Sequence, residues 1–425
     1  MRKNFPSIRQ DQFKKRGKMM VFSTLFILYS SLLGFVVGIL AAVFLLVTNV
    51  LIDFVWVDIP GMVSIPFYPL VVGIVGGILV GLIQKRIGQY PTTIEETLGE
   101  FKRKGRVTYK NHLLKNGLSA IIVLMFGASL GPEAALAGIV GGLITWIGDH
   151  LKMTFEHREE LVKVSIGTML STIFRAPFVG VSEVFEEHDS LQLKTKGRKI
   201  FLYALSTLFG IAGFLFIEQF SPEESVFSLH FPQTIDWAWQ TILLMPVGWL
   251  LGAVFGFLFL KIEQLTNQLA KKINSPIIQA IIAGIAIGLF ALWSPYFIFS
   301  GEHQLLPLSK EALGFSFFSL LLLGVGKAFL TNFCFAFGWR GGKIFPAIFS
   351  STAIGFALVH LFPYTPGLIV GIVVASSVTI ILGQPFVSAA LLLLLFPVQF
   401  FPAIVISSFG ISKLRDFLKS KSVRT

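Results

Sequence analysis

Two short segments of the chain combine glycine and proline with residues that could bind or carry an ion. The first is 131–135 (GPEAA), whose Glu133 is the only charged residue between Asn116 and Gly148. The second is 342–346 (GKIFP), which begins 211 residues further along the chain. An ionisable residue within a long apolar stretch usually marks an ion or proton path. These segments are therefore the first candidates for a functional site.

The glycines and prolines predict that a helix begins at each segment. The first turn of a helix has unpaired N–H groups and a partial positive charge, so it offers an anion backbone donors without a buried full charge. Gly131, Gly341 and Gly342 would let an anion approach the backbone, because glycine has no Cβ. Pro132 and Pro346 would fix the start of each helix. The pattern favours a small anion bound between the two segments.

Glu133 adds a carboxylate at the start of the first predicted helix. At that position it could itself occupy the anion site and leave when it is protonated or displaced. The helix N-terminus favours its negative charge, whereas loss of water favours its protonation. The alternative is a carboxylate that only caps the helix.

The composition of the chain shows what kind of protein must position these residues. Of 425 residues, 54% are hydrophobic and only 14% are charged, about half the charged share of a soluble domain. The mean hydropathy is +0.76. A lipid bilayer is the environment that such a chain needs, which excludes soluble enzymes and secreted disulfide frameworks. Cys334 is the only cysteine, so no intrachain disulfide or multi-cysteine metal site is expected.

The positive charges predict the orientation of the chain in the membrane. The net charge of +12 lies mainly in the tails and in loops beside apolar runs, which indicates membrane orientation and not nucleic-acid binding. The basic tails 1–18 and 413–425 are predicted to be cytoplasmic, in a multi-pass protein of the cell membrane. The loops predicted to be cytoplasmic are 85–115, 194–199 and 261–272, and those predicted to be external are 53–58, 218–236 and 302–311.

This orientation predicts two halves of opposite topology. The first Gly/Pro segment is approached from a cytoplasmic loop and the second from an external loop, which is typical of inverted repeats with a substrate site where the breaks meet. We therefore expect an all-α polytopic domain over 19–412, with halves of about 19–217 and 237–412. Half-length runs near Glu133, and five prolines that follow Pro346 in Ile344–Ser412, predict broken and re-entrant helices. The alternative is that these glycines and prolines only reflect their frequency in membrane helices.

Three motifs resemble the signatures of the CLC family of chloride channels and anion/proton antiporters. They are 127–133 (GASLGPE), 174–181 (FRAPFVGV) followed by Glu186-Glu187, and 338–346 (GWRGGKIFP). The resemblance implies a homodimer with one anion path per subunit, most similar to divergent bacterial members with GPE. It implies that Glu133 is the gate and Glu187 the internal proton acceptor. An acidic, solvated rim is the alternative interpretation of Glu187.

The resemblance also implies the residues of the anion site, with departures from the family pattern. The implied set is Gly131, Pro132, Ala134, Gly342, Lys343, Ile344, Phe345 and Gln89. Gln89 replaces the family's filter serine, although its amide can still donate a hydrogen bond. The filter tyrosine has no counterpart, and Ser407 or Ser408 could supply a hydroxyl instead. Lys343 and Arg340 are additions, which either raise the local anion concentration or extend to a membrane face.

Two other functions fit parts of the sequence. A permease for a different anion could use the same fold. Residues 127–131 (GASLG) also match the nucleophile pattern G-x-S-x-G, so an intramembrane hydrolase with Ser129 and His360 is a second alternative. That pattern requires a strand-turn-helix context, which an apolar membrane run does not offer. The expected protein is a transporter of chloride or another small anion, coupled or not to protons, without enzymatic activity or a cofactor.

Overall fold

The computed structural model describes residues 24–109, 112–150, 155–186, 193–220, 229, 231, 234–393 and 395–422. Within these residues the chain forms seventeen α-helices and no named strand. In chain order they are α1 (Thr24–Asp53), α2 (Ile59–Met62), α3 (Tyr68–Ile87), α4 (Ile94–Lys104), α5 (His112–Met125), α6 (Glu133–His150), α7 (Phe155–Ile173), α8 (Phe178–Glu186), α9 (Leu193–Glu218), α10 (Trp239–Ala270), α11 (Pro276–Trp293), α12 (Leu305–Glu311), α13 (Phe317–Ala336), α14 (Ile344–Leu361), α15 (Pro366–Leu382), α16 (Pro385–Leu392) and α17 (Phe401–Ser422).

Many of these helices match the bilayer in length and composition. Among the described residues, seven helical stretches are long and apolar enough to cross a membrane, and two apolar helices are shorter, α5 and α15. The outer face of α10 exposes large apolar side chains, including Ile242, Leu243 and Leu250. Such side chains are stable against lipid tails, where the helix satisfies its own backbone hydrogen bonds. The chain is a multi-pass membrane protein, as predicted.

Helices of the two halves correspond in order and length. Both α6 and α14 contain 18 residues, and their first residues are 211 positions apart. The starts of α7 and α15 are also 211 positions apart. The closest packing joins α3 to α11, α1 to α9 and α10 to α15. The predicted boundary segment 218–236 begins at the last residue of α9 and ends before α10.

The central helices are buried by protein and not by lipid. In α14, 83% of the residues are buried inside the fold, and α6 is buried over most of its length. A helix that is apolar on all sides belongs in the core of a bundle. The predicted tail 1–18 lies outside the described residues, whereas α17 extends into the predicted C-terminal tail as far as Ser422.

Candidate functional site

The two Gly/Pro segments meet, as the sequence predicted. Gly131 and Gly342 form an isolated antiparallel bridge, in which each N–H donates to the carbonyl of the other at 2.8 Å. Helix α6 begins two residues after Gly131, and α14 begins two residues after Gly342. The N-termini of both helices therefore face one small region at the centre of the fold.

The carboxyl group of Glu133 occupies that region. Glu133 is the first residue of α6, and its side chain is only 1% exposed. Its Oε1 accepts a hydrogen bond of 2.8 Å from the backbone N–H of Ile344, the first residue of α14. The backbone N–H groups of Glu133 itself and of Phe345 also stabilise the charge of this carboxyl. The carboxylate therefore lies at two helix N-termini, where the sequence predicts that an anion binds.

The other carboxyl oxygen has no protein partner. Oε2 of Glu133 is buried and makes no hydrogen bond to the described residues. A buried oxygen without a partner is costly.

The glycines are required at the bridge because the carboxyl group leaves no room for a side chain. A Cβ on Gly131 would lie 2.0 Å from Oε2 of Glu133, and a Cβ on Gly342 would lie 1.9 Å from its Cδ. Both separations are far below van der Waals contact. The backbone approaches the carboxylate as closely as it would need to approach an anion.

Aromatic and apolar residues surround the carboxyl group. The ring of Phe345 stacks on that of Phe174 with centroids 4.0 Å apart, and both side chains are buried. Pro132, Ala134 and Ile344 are buried beside the bridge. The Phe174 ring comes from the second predicted motif, so the structure brings all three motifs together. Exclusion of water strengthens the interaction of a charge with the helix N-termini.

Lys343 and Arg340, the two basic residues added to the family pattern, both form ion pairs. Lys343 Nζ lies 2.7 Å from Oε1 of Glu263 in α10 and 4.0 Å from the centre of the Phe335 ring. Arg340 contacts the carboxylate of Glu96 at 2.5 Å. Glu263 therefore balances the charge of Lys343, and Glu96 balances that of Arg340. Both carboxylates lie in segments that the sequence predicts to be cytoplasmic. Among the described residues, the groups that stabilise the Glu133 carboxylate are backbone N–H groups.

Gln89 lines a cavity that Glu133 does not line. Its Oε1 accepts a hydrogen bond of 3.1 Å from Arg340. Its side chain is exposed and lines a cavity of about 290 Å³. That cavity is also lined by Asn267 and Lys271, from the predicted cytoplasmic loop 261–272. No hydrogen bond joins the described side chains of Gln89 and Glu133. The role of Gln89 in selectivity stays a prediction.

The predicted internal proton acceptor, Glu187, lies outside the described residues. Its neighbour Glu186 is described, and Oε1 of Glu186 accepts hydrogen bonds from the backbone N–H groups of Phe386 and Val387. These amides belong to the first turn of α16. Glu186 therefore caps a helix of the second half, a role that the sequence did not reveal.

The hydroxyl groups considered from the sequence have different environments. Ser129 is buried, and its Oγ hydrogen bonds the Thr331 hydroxyl at 3.0 Å. His360 is exposed at the far end of α14, about 27 Å of helix from the bridge, so Ser129 has a threonine beside it and not that base. Ser407 accepts a bond from Trp249 with its backbone carbonyl. The buried Oγ of Ser408 has no hydrogen-bond partner among the described residues.

Sequence reasoning missed two charged residues near the site. Lys327 of α13 is fully buried, and its Nζ donates to the carbonyls of Tyr296, Ile298 and Phe299 at 2.8–2.9 Å. Glu302 follows that loop and is 6% exposed. A lysine within the apolar run 314–336 was a detectable signal, whereas the burial of Glu302 depends on packing that sequence does not show.

The fold and the site define a class of protein: a polytopic helical membrane protein with a carboxyl group held between two opposed helix N-termini. The model of the family described as voltage gated chloride channel matches residues 76–413. The chain belongs to that family. The predicted resemblance and the predicted class, a membrane transporter of anions, are confirmed.

Individual relatives are distant. YfeO of Escherichia coli O7:K1 (strain IAI39 / ExPEC), whose name refers to ion transport, is 24% identical over 349 residues, which are 79% of each chain. The H⁺/Cl⁻ exchange transporter ClcA of Klebsiella pneumoniae (strain 342) is 24% identical over 245 residues, 56% of this chain and 51% of that protein.

Solved structures show the same fold. A slow cyanobacterial Cl⁻/H⁺ antiporter superposes with a TM-score of 0.74 at 20% identity, over 92% of this chain and 94% of that chain. A CLC-type fluoride/proton antiporter superposes with a TM-score of 0.69 at 16% identity, over 92% and 95% of the two chains. The predicted all-α architecture with broken helices is confirmed by this likeness.

Proposed function

We propose that the protein moves small monovalent anions, chloride among them, across the cell membrane along a path that Glu133 gates. One observation carries this proposal: the Glu133 carboxylate accepts the first backbone N–H of α14 while it sits at the start of α6. A side-chain carboxylate in this place stands in for a bound anion. An anion that competes for the same N–H groups requires the carboxyl group to leave.

The chemistry of the site favours a single negative charge. Its donors are backbone N–H groups at two helix ends, each with only a partial positive charge. The full positive charges of Lys343 and Arg340 are paired with Glu263 and Glu96. A divalent or larger anion would need more positive charge and more room than the glycine bridge leaves.

We further propose that Glu133 couples the anion path to protons. When an anion displaces the carboxylate, the carboxyl group loses its N–H donors and gains from protonation. Names of relatives support this coupling, since ClcA of Klebsiella pneumoniae is an H⁺/Cl⁻ exchange transporter. A homodimer with cytoplasmic termini, and Glu187 as internal proton acceptor, belong to the same proposal.

Anion and proton flux in proteoliposomes test the proposal. The purified protein is reconstituted, and efflux of chloride, nitrate and fluoride is measured together with proton uptake. Glu133→Gln keeps the shape of the side chain and removes its charge, so proton uptake should fall to background and anion efflux should become independent of pH. Glu311→Gln is the matched control, because Glu311 is an exposed carboxyl bonded to the Tyr296 hydroxyl.

The result that contradicts the proposal is a folded Glu133→Gln protein with wild-type proton uptake and wild-type pH dependence. Elution volume on size exclusion establishes that the variant is folded and assembled. Fluoride efflux that exceeds chloride efflux would instead identify the permease for a different anion on the same fold.

A further inference from the structure

A cavity of about 510 Å³ lies beside the bridge on the face predicted to be external. Its walls come from the end of α1, from Leu130 and Pro132, and from the loop 299–304. Pro132 is the residue directly before Glu133. The cavity therefore ends one residue from the gate, in a part of the fold where the sequence predicted only an external loop.

Glu302 lines this cavity as a buried carboxyl. The residue is 6% exposed, and its backbone N–H donates to the Ser300 hydroxyl at 3.3 Å. Within the described residues its carboxyl group makes no hydrogen bond or ion pair. The carboxyl group therefore reaches water only through this cavity, and the loss of most of its hydration makes its negative charge costly.

Hydrogen bonds to other parts of the fold fix the position of the loop that carries Glu302. The buried Lys327 ammonium donates hydrogen bonds to the carbonyl of Phe299 and to those of Tyr296 and Ile298 just before the loop. Phe299 N–H donates to the carbonyl of Gly127 at 3.3 Å. The second contact ties the loop to the motif that ends at Glu133. The side chains of the loop and the gate are thus positioned by one connected framework.

Three charged or titratable groups act on the Glu302 carboxyl. His303 and Arg175 favour its negative charge, and Glu218 opposes it. Glu302 in turn opposes the negative charge of Glu133. Arg175 is itself hydrogen bonded to Glu218, which offsets much of its effect. Burial is the largest influence and raises the pKa of Glu302 above that of an ordinary carboxyl group.

We propose that Glu302 is a second proton-binding carboxyl, through which protons pass between the solution in this cavity and Glu133. A hydronium ion in the cavity gives its proton to the Glu302 carboxylate and leaves as water. The neutral Glu302 then gives the proton, directly or through a water molecule, to the Glu133 carboxylate and returns to its charged form. Repulsion between the two carboxylates favours one shared proton over none. This inference rests on the proposed gating by Glu133.

A simpler role for Glu302 is a fixed negative charge that repels anions at the entrance. The two roles differ in what they control. A repelling charge lowers anion efflux and leaves proton uptake unchanged. A proton-binding carboxyl controls proton uptake and the pH dependence of efflux, and it affects the anion path only through Glu133.

The experiment compares wild-type protein, Glu302→Gln, Glu302→Asp and the control Glu311→Gln in proteoliposomes. Chloride-driven proton uptake and chloride efflux are measured between pH 5 and pH 8. Glu302→Gln should reduce proton uptake by about ten-fold or more with chloride efflux at pH 5 within about two-fold of wild type. Glu302→Asp should restore part of the uptake, and Glu311→Gln should match wild type.

Wild-type proton uptake and an unchanged pH profile in Glu302→Gln would overturn the inference, and so would faster chloride efflux with unchanged uptake. If the wild type carries no protons, the pH profile of efflux decides, and the same profile in Glu302→Gln overturns the inference. Failure of the proposed function is recognised separately, because Glu133→Gln would then behave as wild type whatever Glu302→Gln does.

Discussion

The carboxyl of Glu133 and the backbone N–H of Ile344 lie 2.8 Å apart, although 211 residues separate them in the chain. One residue begins α6 and the other begins α14. The position of the Glu133 carboxyl group is therefore set by both halves of the protein at once. A change on either side of this hydrogen bond should alter the same transport property.

Removal of the Glu133 side chain should open the path. Glu133→Ala leaves the N–H of Ile344 free for an anion and removes the group that competes for it. We expect chloride efflux to rise above that of Glu133→Gln, without pH dependence. Efflux from proteoliposomes loaded with chloride is the measurement. Efflux at or below the Glu133→Gln value would show that the side chain does not block the path.

A methyl group at the bridge should displace the gate from the other half of the chain. In Gly342→Ala the new Cβ would lie 1.9 Å from Cδ of Glu133, so the carboxyl group has to move away from Ile344. We expect reduced proton uptake and flatter pH dependence of chloride efflux. Gly99→Ala in α4 is the control, because a Cβ there meets nothing within 4 Å. Wild-type coupling in Gly342→Ala would refute this steric argument.

The prediction for Gln89 concerns selectivity. Its side chain lines the cavity of about 290 Å³, and its Oε1 accepts a hydrogen bond from Arg340. The amide N–H₂ group can therefore donate to a passing anion. Gln89→Ala should change the chloride/nitrate permeability ratio, measured from reversal potentials. Gln219→Ala, which removes an exposed amide just after α9, is the control. An unchanged ratio would remove Gln89 from the anion site.

The predicted topology can be tested by cysteine labelling. Single cysteines at positions 8, 108 and 268 should react only with reagent that reaches the cytoplasm, and one at position 228 should react from outside. Cys334 is buried, and its replacement by alanine gives a background without endogenous thiols. If positions 108 and 228 label from the same side, the opposite orientation of the two halves is wrong.

Lys327 should be important for stability. Lys327→Met keeps an unbranched chain but leaves three loop carbonyls without their donor, at about 1–3 kcal/mol for each buried group that stays unpaired. We expect a lower thermal transition in detergent and a loss of proton uptake as the Glu302 loop shifts. Lys310→Met, in the nearby α12, is the control. An unchanged transition would show that water replaces the ammonium.

The sequence predicted the centre of the site because its signals are local. Gly131, Gly342 and the prolines mark helix starts by their backbone chemistry, and a lone glutamate in an apolar run marks a functional charge. The spacing of the two segments then predicted their meeting, which the Gly131–Gly342 bridge confirms.

Other features could not be predicted because they depend on contacts between distant parts of the chain. Gln89 is bonded to Arg340 across 251 residues, so its place at a separate cavity followed only from the fold. The sequence predicts an external loop at Glu302, and only the packing of the fold shows that this residue is buried. Neither Gln89 nor Glu302 lies in a local pattern of glycine, proline or hydrophobicity that predicts its environment.

The two hydrogen bonds between Gly131 and Gly342 limit how this protein can move during a transport cycle. They join the two halves directly, so a separation of the halves at this point would have to break them on every turnover. Rotation of the Glu133 side chain needs no such break. Single side chains rotate in nanoseconds or faster when unhindered, whereas domain rotations take microseconds to milliseconds. If Glu133 gates the path as proposed, the backbone can stay nearly stationary through a cycle, and the rate of transport is then set by the local barriers around one side chain.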